Sequence, residues 1–209
     1  MRADRFAVLA HEVRSPVAAL AAIADAYPAA DEARRRRLLQ LARAAVVSIE
    51  RLLGDATAEP LRLERLDAGA LARDAAETAA LGGALVVAET EDGLVVDADG
   101  DRLRQALDNL IGNAIGHSPA GGTVAVMAQR EGNSIVIAVA DEGDGIPAAD
   151  LDRVFEPGVR LTDARPGSGL GLAVVRAVAR QHGGEVEVES SPGQGATFRL
   201  VLPDAFGAG

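Results

Sequence analysis

The sequence predicts a helical hairpin followed by an α/β sandwich, and three patterns in its 209 residues support that prediction. Apolar residues recur three and four apart over much of residues 6–53, which is the spacing of helices with one apolar seam. Residues 54–60, GDATAEP, are small, polar and turn-rich, as is typical of a linker. From residue 61 onward, alternating apolar and polar segments are interspersed with segments of helical spacing, which favours a mixed sheet with helices on one face.

The first 53 residues are expected to form two helices. The apolar seam of the first is interrupted at Tyr27-Pro28, Asp31 is a suitable N-cap, and the second helix is expected to end near Leu53. Two helices cannot enclose a core, so their apolar faces are expected to pair with a second copy of the chain as a dimeric four-helix bundle. The alternative is that the hairpin packs on the second domain of its own chain.

The second domain is predicted over residues 61–203, with residues 204–209 as a tail. Helices are expected over residues 67–80, 99–116 and 169–181, with a short one over 148–154. The predicted strands are 61–66, 84–89, 93–97, 123–130, 133–140, 184–190 and 195–202.

Composition excludes several classes of protein. The net charge of -10 argues against a nucleic-acid-binding surface, which needs a basic footprint. The longest apolar run, Val17 to Ala24, is much shorter than the roughly 20 residues that span a bilayer, and no signal peptide is visible, so we expect a soluble chain. All 21 basic residues are arginine, which excludes a Walker A loop and the strand lysine of a protein-kinase fold.

His11 lies opposite the apolar seam of the first predicted helix, where its imidazole would face solvent. Glu12 follows it, and Pro16, five residues on, removes a helical hydrogen bond. The string from Phe6 to Pro16 resembles the H-box of sensor histidine kinases. The resemblance implies that His11 accepts a phosphoryl group and that Glu12 accepts its proton, a transfer that a neighbouring carboxylate can assist.

Four strings in the second domain resemble boxes of the GHKL (Bergerat-type) ATP-binding fold. Residues 109–117 resemble the N-box, 141–146 the G1-box (D-x-G-x-G), 167–172 the G2-box and 193–198 the final Gly-Thr box, with the F-box-like Phe155-Glu156-Pro157 before the G2-box. The resemblance implies an ATP site formed by Asn109, Asn113, His117, Asp141, Gly143, Gly145, Ile146, Arg160, Arg165, Gly167, Ser168, Gly169, Leu170, Gly171, Leu172 and Thr197.

The resemblance also implies what these boxes do. Asn113 would supply a side-chain oxygen to Mg²⁺, which prefers few protein ligands together with phosphate oxygens and water. Asp141 would accept a hydrogen bond from the adenine amino group, and the G2-box amides would bind the phosphates at a helix N-terminus.

Because the motifs occur in the family's order over nearly the whole chain, the resemblance implies a sensor histidine kinase core that uses ATP and Mg²⁺. Such a core forms a homodimer, phosphorylates its own His11 and passes the phosphoryl group to an aspartate of a response-regulator receiver domain. We expect a cytoplasmic location, either alone or as the cytoplasmic part of a membrane-bound sensor. A histidine phosphotransfer protein with a decayed ATP fold is disfavoured because the N, G1 and G2 residues are present.

Asn109 distinguishes the subclasses of the fold. Relatives such as DNA gyrase carry a Glu one turn before the Mg-binding Asn, where it activates the attacking water. Asp108 is adjacent to this position but is expected to point about 100° away around the helix. An Asn at 109 therefore favours transfer to His11 over hydrolysis and disfavours a hydrolytic ATPase. An anti-sigma-type serine kinase is disfavoured because it would not need an H-box on a dimerising hairpin.

Two departures from the family pattern affect the predicted site. Gly116 replaces a basic residue that often contacts the phosphates, so positive charge is expected from Arg160 and Arg165 in the lid-like segment 156–166, unless these are ordinary solvated arginines. Ser15 stands where Thr or Asn is common in members that dephosphorylate their regulator, which leaves phosphatase activity open.

Overall fold

The computed structural model describes residues 17–28, 31, 34, 35, 37–39, 42, 45, 61–161 and 169–206. The chain divides into two compact units, residues 1–60 and 61–209. Five predicted site residues lie outside the described ranges: His11, Glu12, Arg165, Gly167 and Ser168. None of the described helices is both long and apolar enough to cross a membrane.

In the first unit, residues 17–26 are helical and the helix ends before Tyr27, as the sequence predicts. The backbone N–H of Arg34 donates to Asp31 Oδ1 at 2.8 Å, which confirms Asp31 as the N-cap of the next helical segment. Arg35 donates to the Pro28 carbonyl at 3.2 Å, and its guanidinium lies 5.4 Å from the centre of the Tyr27 ring. The pairing of the two helical segments and the dimeric bundle stay predictions.

The second unit is the α/β sandwich that the strand alternation predicts. Within residues 61–161 and 169–206 it has helices α1 (Ala68–Leu81), α2 (Gly100–His117) and α3 (Gly171–Gln181). The strands are β1 (Glu64–Asp67), β2 (Leu85–Thr90), β3 (Val95–Ala98), β4 (Thr123–Glu131), β5 (Ser134–Asp141), β6 (Glu185–Ser190) and β7 (Ala196–Pro203). The main sheet has the order β2-β4-β5-β7-β6 and only β2 and β4 are parallel, while β1 and β3 form a separate antiparallel pair.

Two predicted helices differ from the observed ones. The segment predicted as one helix over 148–154 forms two 3-10 turns, Ala148–Asp150 and Arg153–Phe155. The helix predicted from residue 169 begins at Gly171, because Gly169 has a φ of +74°, which a right-handed helix does not accommodate.

The core lies between the three helices and one face of the main sheet. Helix α1 contributes small residues that allow close approach to the sheet, namely Ala68, Ala72, Ala75 and Ala76. Helix α2 contributes one continuous buried stripe, namely Leu103, Ala106, Leu107, Leu110, Ile111 and Ala114. The opposite face of β6 carries exposed Glu185, Glu187 and Glu189, in agreement with the predicted alternation.

Hydrogen bonds to Asp99 fix the start of α2. Its carboxylate accepts the backbone N–H of Arg102 at 3.1 Å and that of Arg62 at 3.0 Å. The Arg62 N–H in particular lowers the pKa of Asp99 below its usual value, although burial opposes this effect. The Asp99 N–H donates to His182 Nε2 at 3.0 Å, and His182 Nδ1 donates to the Val178 carbonyl at 2.8 Å. The N-terminus of α2 is thereby tied to the C-terminus of α3.

Residues 204–206, predicted as part of a tail, belong instead to the folded unit. The Asp204 side chain is buried and paired with the guanidinium of Arg130. The N–H of Asp204 donates to the Asn133 carbonyl and that of Ala205 to the Val95 carbonyl, both at 3.0 Å. A buried carboxylate needs such a partner, and this one, Arg130 of β4, lies 74 residues earlier in the chain.

We predict that Asp99→Ala lowers the free energy of unfolding by about 1 kcal/mol at pH 7, the usual cost of losing an N-cap. The folded-state pKa of Asp99 lies below the unfolded value of about 3.9, so its stabilisation is complete above that pH and is lost as the pH falls through the folded value. Urea unfolding of the full chain at pH 7 and pH 3 measures both effects.

The matched control is Asp101→Ala, which removes an equally charged but exposed side chain from the first turn of α2. We expect it to lower the free energy of unfolding by only a few tenths of a kcal/mol, because the Asp101 carboxylate interacts favourably with the helix dipole. Equal costs for the two variants at pH 7 would contradict the capping role of Asp99.

Candidate functional site

One cleft of about 590 Å³ gathers most of the predicted site residues. Its walls come from α2, the turn after β5, the two 3-10 turns, the start of α3 and the start of β7. Ten predicted residues line it: Asn109, Asn113, His117, Asp141, Gly145, Ile146, Arg160, Gly169, Gly171 and Leu172. A cleft of this size is in the range that binds small ligands and cofactors.

Helix α2 supplies the polar wall. Asn109, Asn113 and His117 are four residues apart, so they share one face beside the buried stripe of the same helix. Asn109 also lies against the start of α3, where a Cβ built on Gly171 would be 3.4 Å from its Oδ1. A Cβ at residue 171 would thus be in ordinary van der Waals contact with Asn109, so the two helices lie close together here.

The turn after β5 contains the buried carboxylate of Asp141, whose residue is only 8% exposed. Asp141 Oδ1 accepts the N–H of Gly143 at 2.8 Å, which closes the turn. Gly143 does not line the cleft, but a Cβ there would lie 2.6 Å from the His117 carbonyl oxygen, so Gly143 allows the turn to approach the end of α2. Gly145, with a φ of +72°, lines the cleft itself.

Gly158, in the lid-like segment 156–166, is bonded to a residue just before α3. Its N–H donates to the Gly169 carbonyl at 3.0 Å. A Cβ on Gly169 would lie 2.8 Å from the Val159 carbonyl oxygen, which explains the need for glycine. No described side chain caps the first turn of α3. Gly171 and Leu172 of that turn line the cleft, whereas the preceding Leu170 does not.

Phe155, from the F-box-like string, holds this wall in place. Its ring and that of Phe198 form a T-shaped pair with centroids 6.0 Å apart, and the guanidinium of Arg176 lies 5.5 Å from the centre of the Phe155 ring. Phe198 lines the cleft, so the aromatic pair connects the second 3-10 turn to β7 and α3.

The lining is acidic, which the sequence did not predict. Asp108, Asp144 and Asp150 join Asp141 in the wall, and Arg160 is the single cationic side chain among the described lining residues. Asp144 lies within the G1-box string and Asp108 beside Asn109, whereas nothing in the local sequence marks Asp150 as a site residue. A polyanion in this cleft requires additional positive charge.

Asp108 is among the residues that line the cleft, although the sequence predicts that it points about 100° away from Asn109 around the helix. Its carboxylate accepts from Arg104 Nε at 2.9 Å, and this bond raises the pKa of the Arg104 guanidinium. Arg104 also pairs with Asp74 and donates to Thr78 Oγ1 at 3.1 Å. This network engages Asp108 with α1, so it is not a base held over the ligand.

Thr197 is a correction to the predicted site. It lies on β7 between Ala196 and Phe198, which are buried and line the cleft, whereas Thr197 is half-buried and does not. Successive side chains on a strand point to opposite faces, so Thr197 shares the other face with its paired neighbour Glu189. The residue of β7 that contacts the cleft next to Gly195 is therefore Ala196.

A model of the family described as histidine kinase-, DNA gyrase B- and HSP90-like ATPases matches residues 98–205, and the chain belongs to this family. It is 38% identical over 223 residues to the sensor-like histidine kinase SenX3 of Mycobacterium tuberculosis (strain ATCC 25618 / H37Rv). The matched region covers 97% of this chain and 54% of that protein. The chain thus spans about half the length of this curated relative.

Solved structures agree with this assignment. The chain is similar to the mycobacterial sensor histidine kinase MprB, with 30% identity and a TM-score of 0.60 over 68% of this chain and 97% of that one. It is also similar to full-length ShkA in complex with AMPPNP, with 28% identity and a TM-score of 0.66 over 96% of this chain and 45% of that one. The second unit therefore has the ATPase fold of sensor histidine kinases.

We predict that Gly145→Ala lowers ATP affinity by at least about tenfold, because a Cβ at this position would lie 2.0 Å from the Ser191 carbonyl oxygen and the left-handed φ is strained. Calorimetric titration of the full chain with a non-hydrolysable ATP analogue measures the loss.

The control is Gly132→Ala, at another left-handed glycine with a φ of +60°, where a Cβ would meet nothing within 4 Å. Gly132 lies in the turn between β4 and β5 and does not line the cleft, so its substitution keeps ATP affinity. A parental affinity in Gly145→Ala would show that the close approach does not shape the site.

Proposed function

We propose that this chain is the catalytic core of a sensor histidine kinase, which phosphorylates its own His11 with ATP and passes the phosphoryl group to a receiver-domain aspartate. The convergence of Asn113, Asp141 and the start of α3 on one cleft carries this proposal. The likeness to SenX3 extends over 97% of the chain and so includes the region of His11.

Each wall of the cleft has a proposed partner on ATP. Asp141, buried at the closed end of its turn, is suited to accept a hydrogen bond from the adenine amino group. The backbone N–H groups in the first turn of α3 lie at a helix N-terminus, where they and the helix dipole favour the binding of phosphate oxygens. Arg160 of the lid-like segment supplies positive charge, and we propose Arg165 of the same segment as a second source of positive charge.

The lining also fits a magnesium ion. Asn113 presents an amide oxygen donor, and among the described residues no group of three or more His, Asp or Glu could hold a metal alone. Asn113 together with nucleotide phosphate oxygens and water is a sufficient ligand set for Mg²⁺. Bound there, Mg²⁺ would neutralise charge on the phosphates within an otherwise acidic cleft.

The transfer requires a nucleophile and a proton acceptor, and we propose His11 and Glu12. A nitrogen–phosphorus bond forms at the His11 imidazole as the bond from the γ-phosphorus to the bridging oxygen of ADP breaks, and Glu12 takes the imidazole proton. The receiver-domain aspartate then displaces His11 from phosphorus. We further propose that residues 1–53 form the hairpin of a homodimer, because the apolar seam needs a partner.

The residue at position 109 favours transfer over hydrolysis. Asn109 lines the cleft one helical turn before Asn113, and an amide there cannot accept a proton from water. Asp108 is engaged by Arg104, so it does not replace the missing base. ATP is therefore expected to persist in the cleft until the imidazole attacks.

We predict that His11→Gln abolishes labelling by γ-labelled ATP, since glutamine preserves bulk and helix propensity but cannot form a phosphoramidate. Parental protein should carry label that is acid-labile and stable to base. ATP affinity measured on the same preparation should be unchanged. Label retained in His11→Gln would exclude His11 as the acceptor.

We predict that Asn109→Glu raises ATP hydrolysis by about tenfold, below the 10²–10⁴-fold that general-base assistance can provide, because the carboxylate can activate a water. The yield of phosphohistidine should fall as water competes with the imidazole. Phosphate release, phosphohistidine and ATP affinity are measured together.

The control is Asn109→Gln, which has the length of glutamate without the base, and its hydrolysis should stay at the parental rate. If both variants bind ATP normally and hydrolyse it equally slowly, exclusion of water by the lid, and not the residue at 109, separates transfer from hydrolysis.

A further inference from the structure

A second loop holds the Asp141–Ile146 turn from outside the cleft. Residues 190–195, which join β6 to β7, approach this turn backbone to backbone. A Cβ on Gly145 would lie 2.0 Å from the Ser191 carbonyl oxygen, and one on Gly195 would lie 1.9 Å from the Asp141 carbonyl oxygen. The two loops therefore form one packed unit, and the shape of the turn depends on the loop behind it.

Backbone hydrogen bonds link the outer parts of the two loops. The N–H of Gly193 donates to the Asp144 carbonyl at 2.7 Å, and the N–H of Gly195 donates to the Gly143 carbonyl at 3.0 Å. Neither bond reaches Ile146, the last residue of the turn, which lines the cleft.

The hydroxyl of Ser190 completes the connection. Its Oγ accepts the N–H of Ile146 at 2.8 Å and donates to the Gly195 carbonyl at 2.5 Å. A single atom thus joins the end of the turn to the end of the loop, and it must be both donor and acceptor. Ser190 is half-buried, so water does not fully replace these bonds.

We infer that Ser190 is a positioning residue for nucleotide binding, although it does not line the cleft. Its hydroxyl holds Ile146 and the adjacent left-handed Gly145 in place, and through Gly195 it connects them to the strand that carries Ala196. Without it, the Ile146 N–H loses its partner and the turn can relax away from the cleft. The inference rests on the proposal that the cleft binds ATP.

The adjacent Ser191 contacts the turn without using its hydroxyl. Its contacts to the turn involve the backbone carbonyl, and no hydrogen bond of its hydroxyl occurs within the described ranges. Its side chain is exposed. Neighbouring serines with different contacts provide a control within the chain itself.

The test compares Ser190→Thr with Ser190→Val in the full chain, because these side chains have the same shape and differ only in the hydroxyl. We expect Ser190→Thr to bind ATP with near-parental affinity and Ser190→Val to bind it about tenfold more weakly, the effect of one unmade hydrogen bond at a partly buried N–H. The autophosphorylation rate at saturating ATP should change by less than twofold in both, so that the effect appears in KM and not in kcat.

ADP affinity should fall by the same factor as ATP affinity in Ser190→Val, because the turn at Asp141 does not contact the γ-phosphate in the proposed binding mode. Ser191→Ala should match the parent in every measurement. Thermal unfolding shows whether Thr and Val variants are equally folded, and an equal loss of affinity in both would assign the effect to shape and overturn the inference.

Parental affinity for ATP in a folded Ser190→Val would also overturn it. If Ser190→Val does not fold whereas Ser190→Thr does, the hydroxyl supports the fold generally and the specific positioning role is rejected. Failure of the parental chain to bind any adenine nucleotide would contradict the proposed function instead, so the two failures are distinguishable.

Discussion

The packing of helix α2 is the constraint on which both the core and the cleft depend. An α-helix repeats every 3.6 residues, so a buried stripe and a polar stripe can run side by side along its length. In α2 the buried stripe includes Leu103, Leu107 and Leu110, and the adjacent polar stripe includes Asn109 and Asn113. Because one rigid element carries both, the hydrophobic packing that stabilises the unit also sets where the two amides face the cleft.

The opposite wall has no such helix and relies on backbone contacts. The turn at Asp141–Ile146 is supported by residues 190–195 at distances that only glycine permits at Gly145 and Gly195. Close backbone approach restricts the turn more than flexible side chains could, and it places Asp141 and Ile146 without large apolar residues. The single hydroxyl of Ser190 then joins the two loops where backbone bonds end.

Charge distribution distinguishes this cleft from a simple anion-binding pocket. Four carboxylates and one guanidinium line the described wall, and the whole chain carries a net charge of -10. A triphosphate would therefore bind favourably only together with additional cations, either metal ions bound to it or arginines of the lid-like segment. The engagement of Asp108 by Arg104, and the amide at Asn109, leave no carboxylate available as a base one helical turn before the proposed metal ligand.

Features that depend on near neighbours could be predicted from the amino-acid sequence. Strand alternation predicted the sheet, Asp31 was recognisable as an N-cap, and glycine-containing motifs located the turns that line the cleft. Helix spacing alone placed Asn109 and Asn113 on one face. These features are local, because a few consecutive residues contain the whole physical cause.

Features that depend on distant segments of the chain are visible only in the folded structure. It placed Ala196 and not Thr197 in the cleft, since the pairing of β7 determines which side of the strand faces the helices. It brought Asp150 into the wall and paired Asp204 with Arg130. Such contacts join residues far apart in the chain, and no local pattern encodes which of them will meet, because that depends on how the whole sheet and its helices pack.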